Sequence, residues 1–222
     1  MINSTDSSCT LVASNTTVII DTGVCNLTSV YQAIKRLTDD VVISDEPDII
    51  QKAARVILPG VGSASSGMLS LKDKKLDRLI PELKQPVLGI CLGMQLLTIK
   101  SQESRSPSAD VDCMGCIPTT VNAFKKNSLP LPHMGWNKIN STNSHPIFNK
   151  LTDDAYVYFV HGFNAPISDY TIADCKYSET FSAAISNNNF IGLQFHPEKS
   201  GAIGSQILEN FIEMNKGNRI ST

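Results

Sequence analysis

The chain has 222 residues, 41% of them apolar and 18% charged, with nineteen basic against twenty-one acidic side chains for a formal charge of -2. That length supports one domain with a full core, and the charge balance builds no positive field for nucleic acid or an anionic membrane. No apolar run approaches the ~20 residues that span a bilayer, and the opening "MINSTDSSCTLVASN" has neither a basic n-region nor an apolar h-region, so a cytoplasmic protein with six free cysteines is expected.

Residues 1–15 are rich in Ser, Thr and Asn and are expected to form an N-terminal extension. A folded domain over 16–216 and a short tail over 217–222 follow. "TVIID" is a short β-branched run, read as a buried strand that stops at Thr22-Gly23. In "NLTSVYQAIKRL", Leu27, Val30, Ile34 and Leu37 recur at helical spacing behind Asn26, a suitable N-cap. "VVIS" and "ARVIL" read as strands, the stretch from Met68 to Ile80 as helix, and "PVLGI" as a third buried strand. Apolar strands alternating with amphipathic helices predict a mostly parallel sheet covered on both faces.

Beyond Ser101 the pattern changes. Closely spaced runs at 117–124, 155–161, 171–177, 181–185 and 190–195 predict strands, and only "IGSQILENFIEMN" near the end is again helical. The fold class is therefore a single α/β domain with an antiparallel-rich second half. "CMGC" (113–116) has C-x-x-C spacing, but no second ligand pair stands near it and the following "IPTTVNAF" is extended rather than helical. It is read as a strand edge, and no metal or cofactor is expected.

Function in such sheets sits at the carboxyl ends of the strands. The chain puts Asp21-Thr22-Gly23, Pro59-Gly60-Val61-Gly62 and Cys91 there. Strand, Gly89-Ile90-Cys91-Leu92-Gly93, helix has the layout of a nucleophile elbow with sulfur in place of hydroxyl. The helix beginning at Leu92 turns its positive end toward the sulfur, which favours the thiolate. A buried packing cysteine would fit this stretch alone equally well.

A base decides between the two. In "GLQFHPEKSG", an extended backbone would project His196 and Glu198 to one side, so that the carboxylate orients the imidazole. The backbone N–H of Leu92 is the natural oxyanion donor, with "PGVG" as supplier of a second. That loop lacks the spacing of a P-loop or a dinucleotide turn.

Together these features resemble the class I (triad) glutamine amidotransferases. "IDTGVCNLTSV", "LPGVGSASSGM", "GICLGMQLL", "LPHMGWN", "YFVHGF" and "QFHPEKSG" run in the order of the glutaminase-subunit family of imidazole glycerol phosphate synthase. The resemblance implies hydrolysis of glutamine to glutamate and ammonia. The ammonia passes to a partner (βα)8-barrel cyclase that forms imidazole glycerol phosphate and an aminoimidazole carboxamide ribonucleotide for histidine. It implies Cys91 as nucleophile, His196 as acid and base, Glu198 as orienter, and Val61 with Leu92 at the oxyanion. It further implies Gly60, Gly62, Gln95, His161, Gly162 and Phe163 around glutamine, and Asn26, Met134, Trp136 and Lys199 toward the cyclase. Two positions depart from the pattern: Cys25 stands where many members have glycine, and Gly162 where Ser or Thr is usual. The alternative reading keeps the glutaminase and sends its ammonia to a surface-sugar amidation pathway.

Overall fold

A computed structural model describes residues 15–23, 27–104, 110–125, 129–141 and 145–214. In chain order the first half runs β1 (Thr17–Ile20), α1 (Leu27–Lys35), β2 (Val41–Ser44), α2 (Pro47–Lys52), β3 (Arg55–Leu58), α3 (Ala64–Asp73), α4 (Leu76–Leu79), β4 (Val87–Ile90) and α5 (Leu92–Leu96). The second half adds β5 (Lys100–Ser101), β6 (Val111–Asp112), β7 (Thr120–Ala123), β8 (His133–Lys138), β9 (Asn140–Ser141), β10 (Tyr156–His161), β11 (Phe163–Asn164), β12 (Thr171–Lys176), β13 (Thr180–Asn187) and β14 (Phe190–Leu193), then α6 (Gly201–Glu213).

The main sheet has the order β2-β1-β3-β4-β14-β13-β12-β9. Pairing is parallel from β2 through to β14 and antiparallel from β14 to β9. The change of direction follows from the connections. Helical crossovers return each early strand parallel to the last, whereas β12, β13 and β14 follow one another through short turns that force antiparallel neighbours. Two smaller sheets, β11-β7-β5-β6 and β10-β8, stand beside it.

Both faces of the sheet are buried, so the central strands are apolar throughout rather than alternating. Ile19, Ile57, Leu88 and Ile191 point into one layer, with Val30 and Ile34 of α1 and Ile207 and Phe211 of α6. Val18, Ile20, Val56 and Leu58 point into the other, with Met68 and Leu71 of α3 and Leu96 of α5. Each such side chain, taken fully out of water, stabilises the fold by roughly 1.5–3 kcal/mol. Arg55, buried at the start of β3, ties the chain's two described ends together. It donates to the Met214 carbonyl through Nε at 2.9 Å and to Asn15 through both terminal nitrogens at 3.0 and 2.7 Å.

The expected elements recur with two differences. The helix expected from Met68 to Ile80 is broken, because Lys75 takes a left-handed φ of 58° and α4 restarts behind it. β8, α2 and the two-residue strands β5, β6, β9 and β11 were absent from the sequence reading. β8 is only half-buried and contains Gly135, while α2 is six residues long. Cys113 directly follows β6, at the strand edge where C-x-x-C was expected, and Cys113 and Cys116 are free thiols pushed up to about 12 by burial. Asn26 and Cys25 fall outside the described residues, as do the first fourteen residues and the last eight.

Candidate active site

β3, β4 and β14 are neighbours, so their carboxyl ends bring three distant segments to one sheet edge. β4 ends in Cys91, β3 in the Pro59–Gly62 loop, and β14 in Gln194, Phe195 and His196. The Cys91 amide donates to the Leu193 carbonyl at 2.7 Å, which anchors the nucleophile's backbone to the strand that leads to His196.

Cys91 adopts φ 53° and ψ -109°, a conformation that side-chain-bearing residues rarely take. The strain of the elbow is therefore carried by the cysteine itself. The flanking glycines have a different job, which is close approach. A Cβ on Gly89 would meet the backbone of Gly93 and Met94 at 2.7 Å, and one on Gly93 would run into the carbonyl oxygen of Leu58. Gly60 is wedged in the same way, its Cβ position 2.8 Å from the Gly93 nitrogen and the Leu92 Cβ. The root of the glycine-rich loop is thus packed directly on the turn that presents the sulfur. Gly62, with φ 99°, and the 41% exposed Val61 form its open tip.

His196 and Glu198 are brought together, though not along an extended strand. Pro197–Lys199 is a 3-10 turn, and it folds the Glu198 carboxylate back onto His196 Nδ1 at 2.8 Å, both side chains nearly fully buried. Ser200 secures this turn, donating to the His196 carbonyl at 2.6 Å and accepting the Tyr158 amide at 2.9 Å. Burial opposes a charge on His196, but hydrogen bonding and Coulombic attraction from Cys91 and Glu198 outweigh it and raise the imidazole to about 9. Since Glu198 accepts at Nδ1, it is the Nε2 edge that is left for the thiol. Nε2 is buried and closes no hydrogen bond of good geometry among the described residues.

Beside the sulfur, the expected glutamine-binding residues assemble on the other wall. Gln95, one helical turn after Cys91, is buried, and its Nε2 donates to the Gln194 side-chain oxygen at 3.0 Å and toward the Phe163 carbonyl at 3.5 Å. The His161 ring turns inward. Its Nδ1 donates to the Phe163 carbonyl at 2.8 Å, so Nε2 accepts from His133 Nδ1 at 2.9 Å. His133 is stacked between Phe159 and Tyr177. Burial lowers His133 to about 4 and His161 to about 3, so both rings stay neutral and serve the structure. A side chain at Gly162 would meet nothing within 4 Å, so the Ser or Thr usual in the family is not excluded by packing.

The site's residues are tightly closed in. Cys91 is 7% and His196 3% exposed, and the cavity between Val30, Gly60, Val61, His196 and Lys199 measures about 30 Å³, room for one or two waters. Of the expected partner-facing residues, Met134, Trp136 and Lys199 lie on an exposed surface. Met134 and Trp136 on β8 are 62% and 56% exposed; Trp136 packs edge-on against Tyr158, over which the Lys199 ammonium sits at 5.9 Å. A sole tryptophan more often sits in the core, and this one does not. Gln194 was missed. It is fully buried beside the sulfur, and its only sequence signal was its place two residues before His196.

Residues 13–214 match the family model described as glutamine amidotransferase class-I. The chain is 55% identical to the "Imidazole glycerol phosphate synthase subunit HisH" of Shewanella sediminis, over 92% of this chain and 93% of that protein. It is 47% identical to the subunit of the same name from Vibrio cholerae, over 89% and 98%. Among solved structures, a glutamine amidotransferase from Thermotoga maritima superposes with a TM-score of 0.63 at 15% identity, covering 90% of this chain and 99% of that one, a likeness of fold alone.

Proposed function

The chain belongs to the class I glutamine amidotransferase family, and on that premise we propose how its sheet edge hydrolyses glutamine. It is the glutaminase subunit of an imidazole glycerol phosphate synthase and serves histidine biosynthesis. The surface-sugar alternative is not favoured by those relatives. The working compartment proposed is the cytoplasm; among the described residues no helix is long and apolar enough to cross a membrane.

The observation that carries the mechanism is the buried His196–Glu198 pair beside a cysteine held in a strained elbow. The Cys91 thiolate attacks the side-chain amide carbon of glutamine and forms the C–S bond. The backbone N–H groups of Leu92 and Val61 receive the negative charge on oxygen. With its proton held to about pH 9, His196 enters as the acid. It gives that proton to the leaving nitrogen as the C–N bond breaks and ammonia departs. The neutral ring then takes a proton from water, which attacks the thioester; the C–S bond breaks and glutamate and the thiolate are released. Glutamine itself lies against Gly60, Gly62, Gln95 and the 161–163 backbone. Ammonia passes to a (βα)8-barrel cyclase docked on the face carrying Met134, Trp136 and Lys199.

The test is a coupled assay on the full chain mixed with that cyclase. Cys91→Ala is expected to abolish glutamate release while leaving cyclase turnover on added ammonium salt intact. Glutamate release by Cys91→Ala at the wild-type rate would sink the mechanism.

A further inference from the structure

Three polar neighbours surround the Cys91 sulfur: the Val160 carbonyl at 3.9 Å, the Gln194 carboxamide at 3.8 Å, and His196. His196 and Cys91 have roles in the proposed mechanism, and Gln194 has none. A fully buried amide requires partners for both its oxygen and its nitrogen. The direction of this one is fixed by a chain of donors. The Phe163 carbonyl can only accept, so Gln95 turns its Nε2 toward it at 3.5 Å. The same nitrogen gives its second proton to Gln194 Oε1 at 3.0 Å. With its oxygen taken, Gln194 must present its NH2 to the sulfur.

We propose that Gln194 is a hydrogen-bond donor to the nucleophile, held in that direction by Gln95, so that the residue lining the glutamine pocket also aims a donor at the sulfur. The inference rests on Cys91 being the nucleophile. As a thiol, Cys91 donates to the Val160 carbonyl and is only a weak acceptor. Once the proton leaves, that carbonyl gives nothing, and the Gln194 N–H becomes a charge-assisted donor to sulfur. The bond weakens again when the sulfur is acylated and its charge is gone. It strengthens once more as the thiolate is expelled from the second tetrahedral intermediate. Gln194 therefore favours both states in which sulfur carries charge. Gln95 keeps it from rotating toward any other acceptor.

The measurement is the rate of Cys91 alkylation by iodoacetamide at pH 7, followed by peptide mass spectrometry on the full chain, with kcat and KM determined in the complex with the cyclase. Peptide resolution matters because Cys113, Cys116 and Cys175 are also free, though burial keeps each up at about 12 and slow to react. Gln194→Met keeps the length and removes the donor. Its alkylation is expected to slow about threefold to tenfold, the gain in thiolate from one charge-assisted bond partly offset by the lower nucleophilicity of a stabilised sulfur. kcat should fall in step with KM held within twofold. Gln95→Met leaves Gln194 in place but frees it to rotate, and should slow alkylation by a smaller factor although iodoacetamide needs no glutamine pocket. Wild-type alkylation in both variants overturns the proposal while leaving the glutaminase reading untouched, since that reading fails only on Cys91→Ala. Slower alkylation in Gln194→Met with unchanged melting temperature supports it. If Gln194→Met does not fold, the Gln95→Met rate alone decides: slower upholds the clamp, unchanged overturns it.

Discussion

Replacing Glu198 by glutamine exchanges one oxygen for an amide nitrogen and removes one charge at the most enclosed ion pair among the described residues. The carboxylate lies 2.8 Å from His196 Nδ1, with 4% and 5% of the two side chains exposed. Burial alone takes His133 and His145 to about 4, and burial dominates at His161, at about 3, whereas His196 stands at about 9. The difference is the work of its two partners, Cys91 and Glu198. Removing an opposite charge at this distance lowers a pKa by roughly 1–3 units, or about 1.4–4 kcal/mol of preference for the imidazolium. Glu198→Gln should then thin the imidazolium population at neutral pH and remove the enforced ring orientation, and kcat should drop by on the order of 10²–10⁴-fold. The ring can be followed through its NMR titration and the reaction through glutamate release in the presence of the cyclase. There is a stability counterpart with a definite sign. A pKa raised in the folded state stabilises the fold fully below about pH 6.5, and this is lost as pH rises through about 9. The wild type should therefore exceed Glu198→Gln in denaturation free energy at pH 6 and converge with it by pH 10. A variant that keeps its kcat within threefold, or a His196 titration that does not move, would refute this account of the pair.

The other buried histidines give the opposite slope. His133, His145 and His161 are neutral in the folded protein, so the unfolded chain takes up protons first as pH falls below about 6.5. Each should cost about 2 kcal/mol of stability by pH 5, measurable as a falling urea midpoint, and a midpoint flat from pH 7.5 to 5 contradicts it. Gly93→Ala drives a methyl into the Leu58 carbonyl, a backbone atom that cannot step aside. The expected loss is about 3 kcal/mol or more, lowering the melting temperature by at least ~6 °C. Unchanged melting would mean that the elbow is not pressed against β3 as described.

Much of this was readable in the chain before its structure. The parallel half of the sheet followed from "TVII", "RVIL" and "PVLGI", because strands buried on both faces have no polar positions to blur them. The pairing of Cys91 with His196 was legible from two short patterns, although the reason given for Glu198 was wrong. An extended backbone was expected, and a proline-led 3-10 turn does the work instead. β8 was hidden because an edge strand with one side exposed needs no apolar alternation, and Met134 and Trp136 look like core residues on paper. Gln194 was invisible for a further reason. A lone glutamine in an apolar run has no spacing to betray it, and its importance comes from contacts with residues about a hundred positions away.

The left-handed turn at Cys91 sets folding and turnover against each other at one position. Glycine would occupy that backbone conformation without strain, whereas cysteine holds it at a cost of about 1–3 kcal/mol. Selection for a robust fold would by itself erode this nucleophile, so a lineage released from its reaction would lose the sulfur early and keep the architecture. Retention of cysteine at 91 is a record of use.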